Sequence, residues 1–494
     1  MKRFSSIRRR TNTSSASTNN LDESGCPLDL LVNKTIDFAY RGVRLKFDVS
    51  HALFSSFDID VGTRLLLKEV AHEPGIVGAR RLLDAGCGTG VIGISLAASC
   101  PDMDVVMRDR DFRAVAFAAR NAARNGLAVA LYGYDGIQRE LCRKRRFSKV
   151  KVGERLAAPL RAETGLLCEP DARGPYDAVV SNLPAKAGPA VLARYFEAVR
   201  TRLVRPGGTF AFVVVEPLAE QARAWCTEAG LRLTRTVATK NHMVAITEVP
   251  EEPPLAEPET DAGRWFVPYL RARSQKRIAG ADLAWDGIQG LPEFDEPSYA
   301  TNCALALARR AFSGLLVRRA LVIEPGVGIA PLWMRAVVGP QEIVLKSHDL
   351  LALVASLHNL ESTGFLGVTL VPEPDFPVAA QSQEVPTNET EERLDRLSPS
   401  SVSTSLQPSM SLPRPLDAAS IDAVILFLED VPTFDSACYY WPLISRVLKR
   451  GGVVLIVGES TKTERAVRQK PPGFSKYPFV ERKKGWEAVA FRYD

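Results

Sequence analysis

Several signatures are missing from this chain. Its eight cysteines (Cys26, Cys87, Cys100, Cys142, Cys168, Cys226, Cys303 and Cys438) form no CxxC pair and have no histidine cluster beside them, which excludes the paired-ligand pattern of a structural zinc site. Scattered thiols fit a reducing compartment. No run of about 18 apolar residues occurs, so no segment reads as a membrane span. Charge of one sign is scarce as well: a net +6 over 494 residues does not by itself establish a polyanionic partner. Acid is absent from the first twenty residues, which hold Lys2, Arg3, Arg8, Arg9 and Arg10 among Ser, Thr and Asn. Two readings of residues 1–28 stand. As a disordered basic arm they leave the protein cytoplasmic; as a transit peptide they send it to a mitochondrion or plastid of a eukaryotic host.

What the chain does have is apolar matter, 46% of its residues, in a length too great for one ordinary domain. Residues 36–49 (IDFAYRGVRLKFDV) roughly alternate and predict a hairpin. From about residue 60 strand and helix signals take turns. LLKEVA, VIGISLAASC and AVAFAARNAARNG read as helices, the last stopping at Gly126. RRLLDAG, DVVMRD, AVALYGYD, YDAVVSN, GTFAFVVV and MVAITEV read as strands. Such alternation predicts an α/β fold on a parallel sheet. Residues 250–262, rich in Pro and Glu, read as a linker, and 376–418, rich in Ser, Pro, Thr and Glu, as a disordered insertion.

The second half repeats the first. Asp84-Ala-Gly86-Cys-Gly88 is matched by Glu324-Pro-Gly326-Val-Gly328. Asn121 and Gly126 are matched by Asn359 and Gly364, YDAVVSNLP by IDAVILFLE, and LVRPGGTFAFVV by VLKRGGVVLIVG. Four matches in one order indicate a tandem duplication. The expected units are residues 29–249 and 263–494. In the second, Ser347 stands for Asp109, Phe427 for Asn182 and Glu429 for Pro184. That copy is expected to keep the fold and lose the chemistry. Glu324, Gly326 and Gly328 leave open some residual ligand binding.

Asp84-Ala-Gly86-Cys87-Gly88-Thr-Gly90 lies between a strand and a helix. Glycines there let a ligand approach the main chain beyond the carboxyl ends of the strands. Gly88, Gly90 and Gly93 also spell GxGxxG, a weak dinucleotide signal when alone. Asp84, just before the glycines, suits a cationic amine, met directly or through water. Asp109 ends the next strand and suits a pair of ribose hydroxyls, while Arg110 and Asp111 beside it read as a solvated pair. Asp135, ending AVALYGYD, is the candidate for an adenine amine, with Asp171 as its rival. Residues 139–161 carry nine Lys or Arg against two Glu, a net +7, which reads equally as a phosphate contact and as a solvated loop. Phe147 is the only aromatic there, so stacking of bases on that segment has little support.

YDAVVSN ends at Asn182, followed by Leu183, Pro184, Ala185, Lys186, Ala187 and Gly188. A delocalised amine is a poor nucleophile. The Asn182 side-chain oxygen and the Leu183 carbonyl can each accept one of its N–H bonds and aim its lone pair, with Pro184 stiffening the turn. Phe54-Ser-Ser-Phe57, Asp60-Val-Gly-Thr63, LDAGCGTGVIGISLA and Asn182-Leu-Pro-Ala-Lys-Ala-Gly188 together resemble class I S-adenosylmethionine-dependent methyltransferases. Within that class they resemble the tandem-domain ribosomal RNA guanine-N2 methyltransferases. The resemblance covers the first 250 residues and the duplication. It implies two tandem Rossmann-like domains, the second degenerate, S-adenosylmethionine as cofactor and ribosomal RNA as partner. It also implies Phe54, Ala185 and Lys186 on the substrate side. Three departures mark a relative: Leu183 replaces a proline, Ala185 replaces an aromatic residue that would stack on a planar target, and the worn copy comes second instead of first. A methyltransferase of glutamine amides or of a small molecule, and a donor-binding assembly protein without turnover, are the alternatives. Lys186 reads either as a phosphate contact or as a solvated side chain.

Overall fold

The computed structural model describes residues 27–53, 57–132, 160–171, 173–252, 264–373, 416–429, 431 and 434–494. Phe54 and Asp135 lie outside the described residues. So do most of the basic arm, the basic segment, the linker and the insertion. Of the last, the described part begins at Leu416, which is buried in the second-half core, and the basic segment ends inside a strand at Leu160 and Arg161.

The first half opens with the expected hairpin, β1 (Lys34–Tyr40) and β2 (Val43–Val49), then α1 (Val61–Val70). β3 (Arg81–Ala85), α3 (Val91–Ser99, after the single turn α2 at Pro74–Val77), β4 (Asp104–Asp109) and α4 (Phe112–Arg124) follow. Next come β5 (Val129–Tyr132), β6 (Leu160–Thr164), β7 (Tyr176–Asn182), α5 (Pro189–Ala198) and β8 (Val204–Val215). α6 (Ala219–Glu228), β9 (Arg232–Ala238) and β10 (His242–Glu248) complete it. β1 and β2 pair with each other, and β3 to β10 form one sheet in the order β5-β6-β4-β3-β7-β8-β10-β9. β3 pairs in parallel with both β4 and β7, so the chain order reverses between β3 and β7. A ligand crevice belongs at such a switch point, outside the carboxyl ends of the strands.

The second half repeats the plan. The hairpin β11 (Leu270–Ile278) and β12 (Ala281–Ile288) leads to α7 (Tyr299–Ala311), β13 (Arg319–Ile323), α8 (Ile329–Trp333), β14 (Glu342–Ser347) and α9 (Leu350–Glu361). Then come β15 (Val368–Pro372), β16 (Ile421–Phe427), α10 (Ser436–Val447), β17 (Leu448–Glu459), α11 (Ser460–Arg468), β18 (Phe474–Lys483) and β19 (Trp486–Tyr493). Its sheet runs β15-β14-β13-β16-β17-β19-β18. The two Rossmann-like domains are thus tandem copies. β6 and β9 carry no sequence signal: β6 is five residues long, and β9 is an edge strand with most side chains exposed, where no apolar face is needed.

One constant spacing relates the halves. Arg41 and Ala279 share a φ of 45°, Asp60 and Ser298 cap equivalent helices, and Asn121 and Asn359 make equivalent bonds. This spacing corrects the match between Asp84 and Glu324. Glu324 donates its N–H to Lys346 O as Gly86 donates to Arg108 O, and it carries a positive φ of 58° against 75° at Gly86. Glu324 therefore stands where Gly86 stands, and Val322 where Asp84 stands.

Asn121 ties three elements together. Its Oδ1 accepts the Asp48 N–H at 2.8 Å, and its Nδ2 donates to Asp48 O at 3.1 Å and Thr89 O at 2.9 Å. The hairpin, α4 and the glycine loop are thereby locked, and Asn359 does the same with Asp286 and Val327.

The halves are fused. A continuous apolar core runs from Phe196 and Val191 through Tyr269, Trp285 and Ile288 to Leu351 and Val322. A second patch joins Leu31, Leu53 and Phe117 to Phe434. Arg110 and Asp111, expected as a solvated pair, sit at this junction. Asp111 caps α4, accepting from Arg113 N at 2.8 Å, and Arg110 pairs with Asp349 at 3.2 Å. Across the seam Phe112 N–H donates to His348 O at 2.8 Å and Leu350 N–H to Arg110 O at 3.0 Å.

Replacing Asn121 by Ala leaves the buried Asp48 N–H and Thr89 carbonyl unpaired. The expected loss is about 3 kcal/mol in urea unfolding, with a similar loss for Asn359→Ala. Unfolding midpoints matching the unmodified protein would show that these locks are dispensable.

Candidate active site

The crevice at the switch point is lined by Gly86, Cys87, Gly88 and Thr89 from the loop after β3, by Val91 and Ile92 of α3, and by Asn182 at the end of β7. Val49, Asp58, Ile59, Asp60 and Thr63 close its other side. The hairpin and the start of α1 thus form a wall that the strand and helix periodicity did not reveal; only the Asp60-Val-Gly-Thr63 motif pointed to it.

Gly86 has φ 75°, and a Cβ built there would meet nothing nearer than Asn182 O at 3.8 Å, so any side chain would enter the crevice. Gly90 is needed for a different reason. It opens α3 with φ 85°, and its Cβ would lie 3.1 Å from Ala118, so helices α3 and α4 meet there backbone to backbone. The third glycine of the GxGxxG spelling, Gly93, packs against Met107 and Asp84 beneath the loop. Cys87 is buried, and burial pushes its thiol well above the ordinary range, which removes it as a nucleophile.

Asp109 turns its carboxylate to the glycine loop. Oδ2 accepts the Gly88 N–H and Oδ1 the Asp111 N–H, each at 2.9 Å. Burial raises its pKa against these two hydrogen bonds and Arg110. Asp84 lies below. It is fully buried, accepts the Gly93 N–H at 2.8 Å through Oδ2, and its Oδ1 has no partner among the described residues. Burial pushes its pKa up to about 7. Of the two readings of Asp84, direct contact with a ligand amine meets a side chain with no surface exposed; contact through water remains open to it.

Of the two adenine candidates, only Asp171 is among the described residues, and it does not line the crevice. Asp135 is outside them, just beyond β5. β6 and not β5 pairs with β4, as β15 pairs with β14, so β5 is one strand farther from the crevice than the sequence order suggests. Asp171 is committed elsewhere, to Arg108 at 2.7 Å and to the Tyr176 hydroxyl at 2.6 Å.

Asn182 is held by its amide nitrogen. Nδ2 donates to Asp60 Oδ2 at 3.0 Å and to Thr63 Oγ1 at 2.9 Å. An ionised carboxylate only accepts, so this bond fixes which end of the amide is which. Asn182 Oδ1 is left without a bond among the described residues and is available as an acceptor. Ser181 Oγ anchors the strand end to Ala85 O at 2.6 Å, and Leu183 N–H donates to Val213 O at 3.0 Å. Leu183 is buried, whereas Pro184, Ala185 and Lys186 are exposed on the short turn that follows. One aromatic ring overlooked by the sequence reasoning is here. Phe57 is 66% exposed, next to Asp58 in the crevice wall, and its ring lies edge-on to His51 at 4.8 Å.

Residues 44–147 match the methyltransferase small domain family. Over 103 residues the chain is 37% identical to an uncharacterised protein of Bacillus subtilis, YbxB, covering 21% of this chain and 50% of that one. It is 40% identical over 85 residues to the ribosomal RNA small subunit methyltransferase C of Hahella chejuensis, covering 17% and 24% of the two chains. With the ribosomal RNA large subunit methyltransferase G of Streptomyces coelicolor it shares 31% identity over 165 residues, covering 32% and 35%. The chain thus spans between about a quarter and a half of the length of these relatives. A solved 16S rRNA N2-guanosine methyltransferase of T. thermophilus, in complex with AdoMet and guanosine, superposes with TM-score 0.55 at 18% identity. That match covers 93% of this chain and 98% of the other, so the tandem fold extends over both. Among the described residues no helix is long and apolar enough to cross a membrane.

Asp84 makes stability depend on pH. With a folded pKa near 7 and an ordinary unfolded one, the native state holds the extra proton. Its contribution is therefore full at low pH and is lost as pH rises through about 7. Asp84→Asn cannot ionise, so its Tm relative to the parent should climb from about pH 4 to about pH 7 and then level off. A pH-independent difference would mean that Asp84 titrates normally.

Proposed function

We propose that the first half is an S-adenosylmethionine-dependent N-methyltransferase, and that its acceptor is an exocyclic amine of RNA, in the first instance the guanine N2 of ribosomal RNA. The observation that carries the reading is Asn182: its nitrogen is tethered by Asp60 and Thr63, and its oxygen, without a bond among the described residues, is left as the acceptor of a side chain that lines the crevice with the glycine loop.

The residues present fit the donor. The Asp109 carboxylate, already turned to Gly88 N–H, has lone pairs for two ribose hydroxyls. Gly86, Cys87, Gly88 and Gly90 keep the floor free of side chains that would fill it. Asp84 acts at one remove, its unpartnered Oδ1 bridged by water to the donor's ammonium. Asp135 is proposed for the adenine amine. The bound donor supplies an activated methyl group on a sulfonium.

The protein's own work is then positioning. Asn182 Oδ1 and the Leu183 carbonyl accept the two N–H bonds of the acceptor amine and aim its lone pair; Pro184 holds the turn. Correct orientation of this kind is worth about 7–11 kcal/mol where geometry is ideal. Phe54 is proposed beside the acceptor, with Lys186 at its phosphate. Ala185 has no ring to stack on a planar base; the exposed ring of Phe57, adjacent in sequence to Asp58 of the crevice wall, is proposed to supply one. The relatives named as ribosomal RNA methyltransferases favour RNA over an amide or a small molecule as acceptor.

Incubation with labelled methyl donor and separate RNA, protein and metabolite fractions should place the label in RNA. Label in protein would favour the glutamine-amide alternative, and no label with donor bound would favour an assembly role. Asn182→Ala should lower kcat by two or more orders of magnitude with donor affinity kept; normal turnover would sink the assignment. Phe57→Ala should raise the acceptor KM by a factor of about 10, the scale of one lost stacking contact, and an unchanged KM would remove Phe57 from the acceptor site.

A further inference from the structure

The second half keeps the shape of the crevice but not its vacancy. Glu324 occupies the position of Gly86, Ser347 that of Asp109, Phe427 that of Asn182 and Glu429 that of Pro184. Glu324 turns inward. Its Oε2 accepts from Ser347 Oγ at 2.7 Å, and Oε1 lies 3.0 Å from His348 Nδ1. Of the three residues left open for residual ligand binding, Glu324 thus spends its carboxylate on Ser347 and His348.

What fills the rest comes from the other half. Arg113, in the first turn of α4, is fully buried. Its Nη1 and Nη2 meet the two oxygens of Glu429 at 2.8 Å each, Nη2 lies 3.4 Å from the Tyr440 hydroxyl, and the guanidinium stands 5.6 Å over Phe434. The ligand atoms of Glu324, His348 and Glu429 lie within 4.8 Å of one another, close enough for a metal ion. Arg113 already takes both oxygens of Glu429, so the cation of this site is the guanidinium.

Arg113 follows Asp109 in the same turn, and all that lies between them is gripped by the second half. Arg110 is paired to Asp349, Phe112 N–H is bonded to His348 O, and Asp111 faces His348 at 3.9 Å. The turn does not need an ion pair for adhesion, because Phe117, Leu31, Leu53 and Phe434 already form an apolar joint beside it. A buried ion pair adds little to stability compared with well-packed apolar groups; what a forked guanidinium adds is a fixed geometry.

We infer that the vacated pocket of the second half is a socket for Arg113, and that this plug holds the turn after β4 so that the Asp109 carboxylate is set for the donor ribose. Arg113 and Glu429 are positioning residues, acting on the donor through Asp109. The inference rests on the donor reading given under Proposed function.

The test is calorimetric titration of S-adenosylhomocysteine, the demethylated donor, into the full chain, with Tm and acceptor KM measured in parallel. Arg113→Met and Glu429→Gln should each weaken binding by a factor of about 5–150, the usual range of site-to-site coupling, while acceptor KM at saturating donor stays as in the parent. The double variant Arg113→Met/Glu429→Met, with no charge left unpaired, should recover Tm but not donor affinity. Arg113→Lys keeps the charge and loses the fork; it carries the same test should Arg113→Met fail to fold. Parental affinity in any folded single variant overturns the inference alone. No binding by the parent, or full binding by Asp109→Ala, overturns the donor reading and the inference with it.

Discussion

The crevice depends on one side-chain amide being held from a single side. Asp60 caps α1 by accepting the Thr63 N–H, and the same carboxylate accepts from Asn182 Nδ2. The start of a helix and the end of a strand, distant in sequence, are thereby fixed to each other. Among the described residues the Asn182 side chain is left with its oxygen unbonded. Without the bond the amide would be free to rotate, and either end could face a substrate. With it, the Asn182 side chain offers an acceptor while its donor end is taken up by Asp60 and Thr63, which suits an N–H bond of an amine.

The two halves show how little it takes to close such a site. Apart from the extra edge strand β5 of the first half, sheet order is the same in both, as are the hairpin, the caps and the asparagine lock. The loop conformation is kept so strictly that Glu324 adopts the left-handed backbone of the glycine it replaces, at a cost of about 1–2 kcal/mol. What changes is the atom content of the crevice. A carboxylate occupies the floor of the second copy, a serine stands where Asp109 stands in the first, and a guanidinium from the neighbouring half completes the filling. His348 belongs to this charged set. Burial opposes its charge, but Glu324, Glu429 and Asp111 outweigh burial and push its pKa up to about 10, so the junction keeps its positive charges through neutral pH.

The junction makes the chain more than two domains in series. The apolar core crosses from one half to the other, and a pair of backbone hydrogen bonds joins the turns after β4 and β14. Burial of this extent makes separate motion of the halves costly. The wall of one crevice and the filled pocket of the other are therefore parts of one body.

Much of this was legible in the order of residues. The alternation of strand and helix, the hairpin at residues 36–49, the strand ending at Asn182 and the loss of Asp109 and Asn182 equivalents in the second copy follow from local pattern, because periodicity and turn chemistry act over a few residues. The glycine loop was legible for the same reason. The rest depends on contacts that no local pattern records. Glu324 was paired with Asp84 because both are acids near glycines, whereas only strand register and a shared positive φ place it on Gly86. Arg110 and Asp111 read as solvated because their partners lie in the other half of the chain. The insertion of β6 beside β4 moved β5 one strand outward, a placement that sequence order did not suggest. The sequence by itself determined which elements form and which chemical groups are carried. Which of those groups meet was decided by the tertiary structure, since pairing across a sheet and across a domain junction is set by register and packing between segments far apart in the chain.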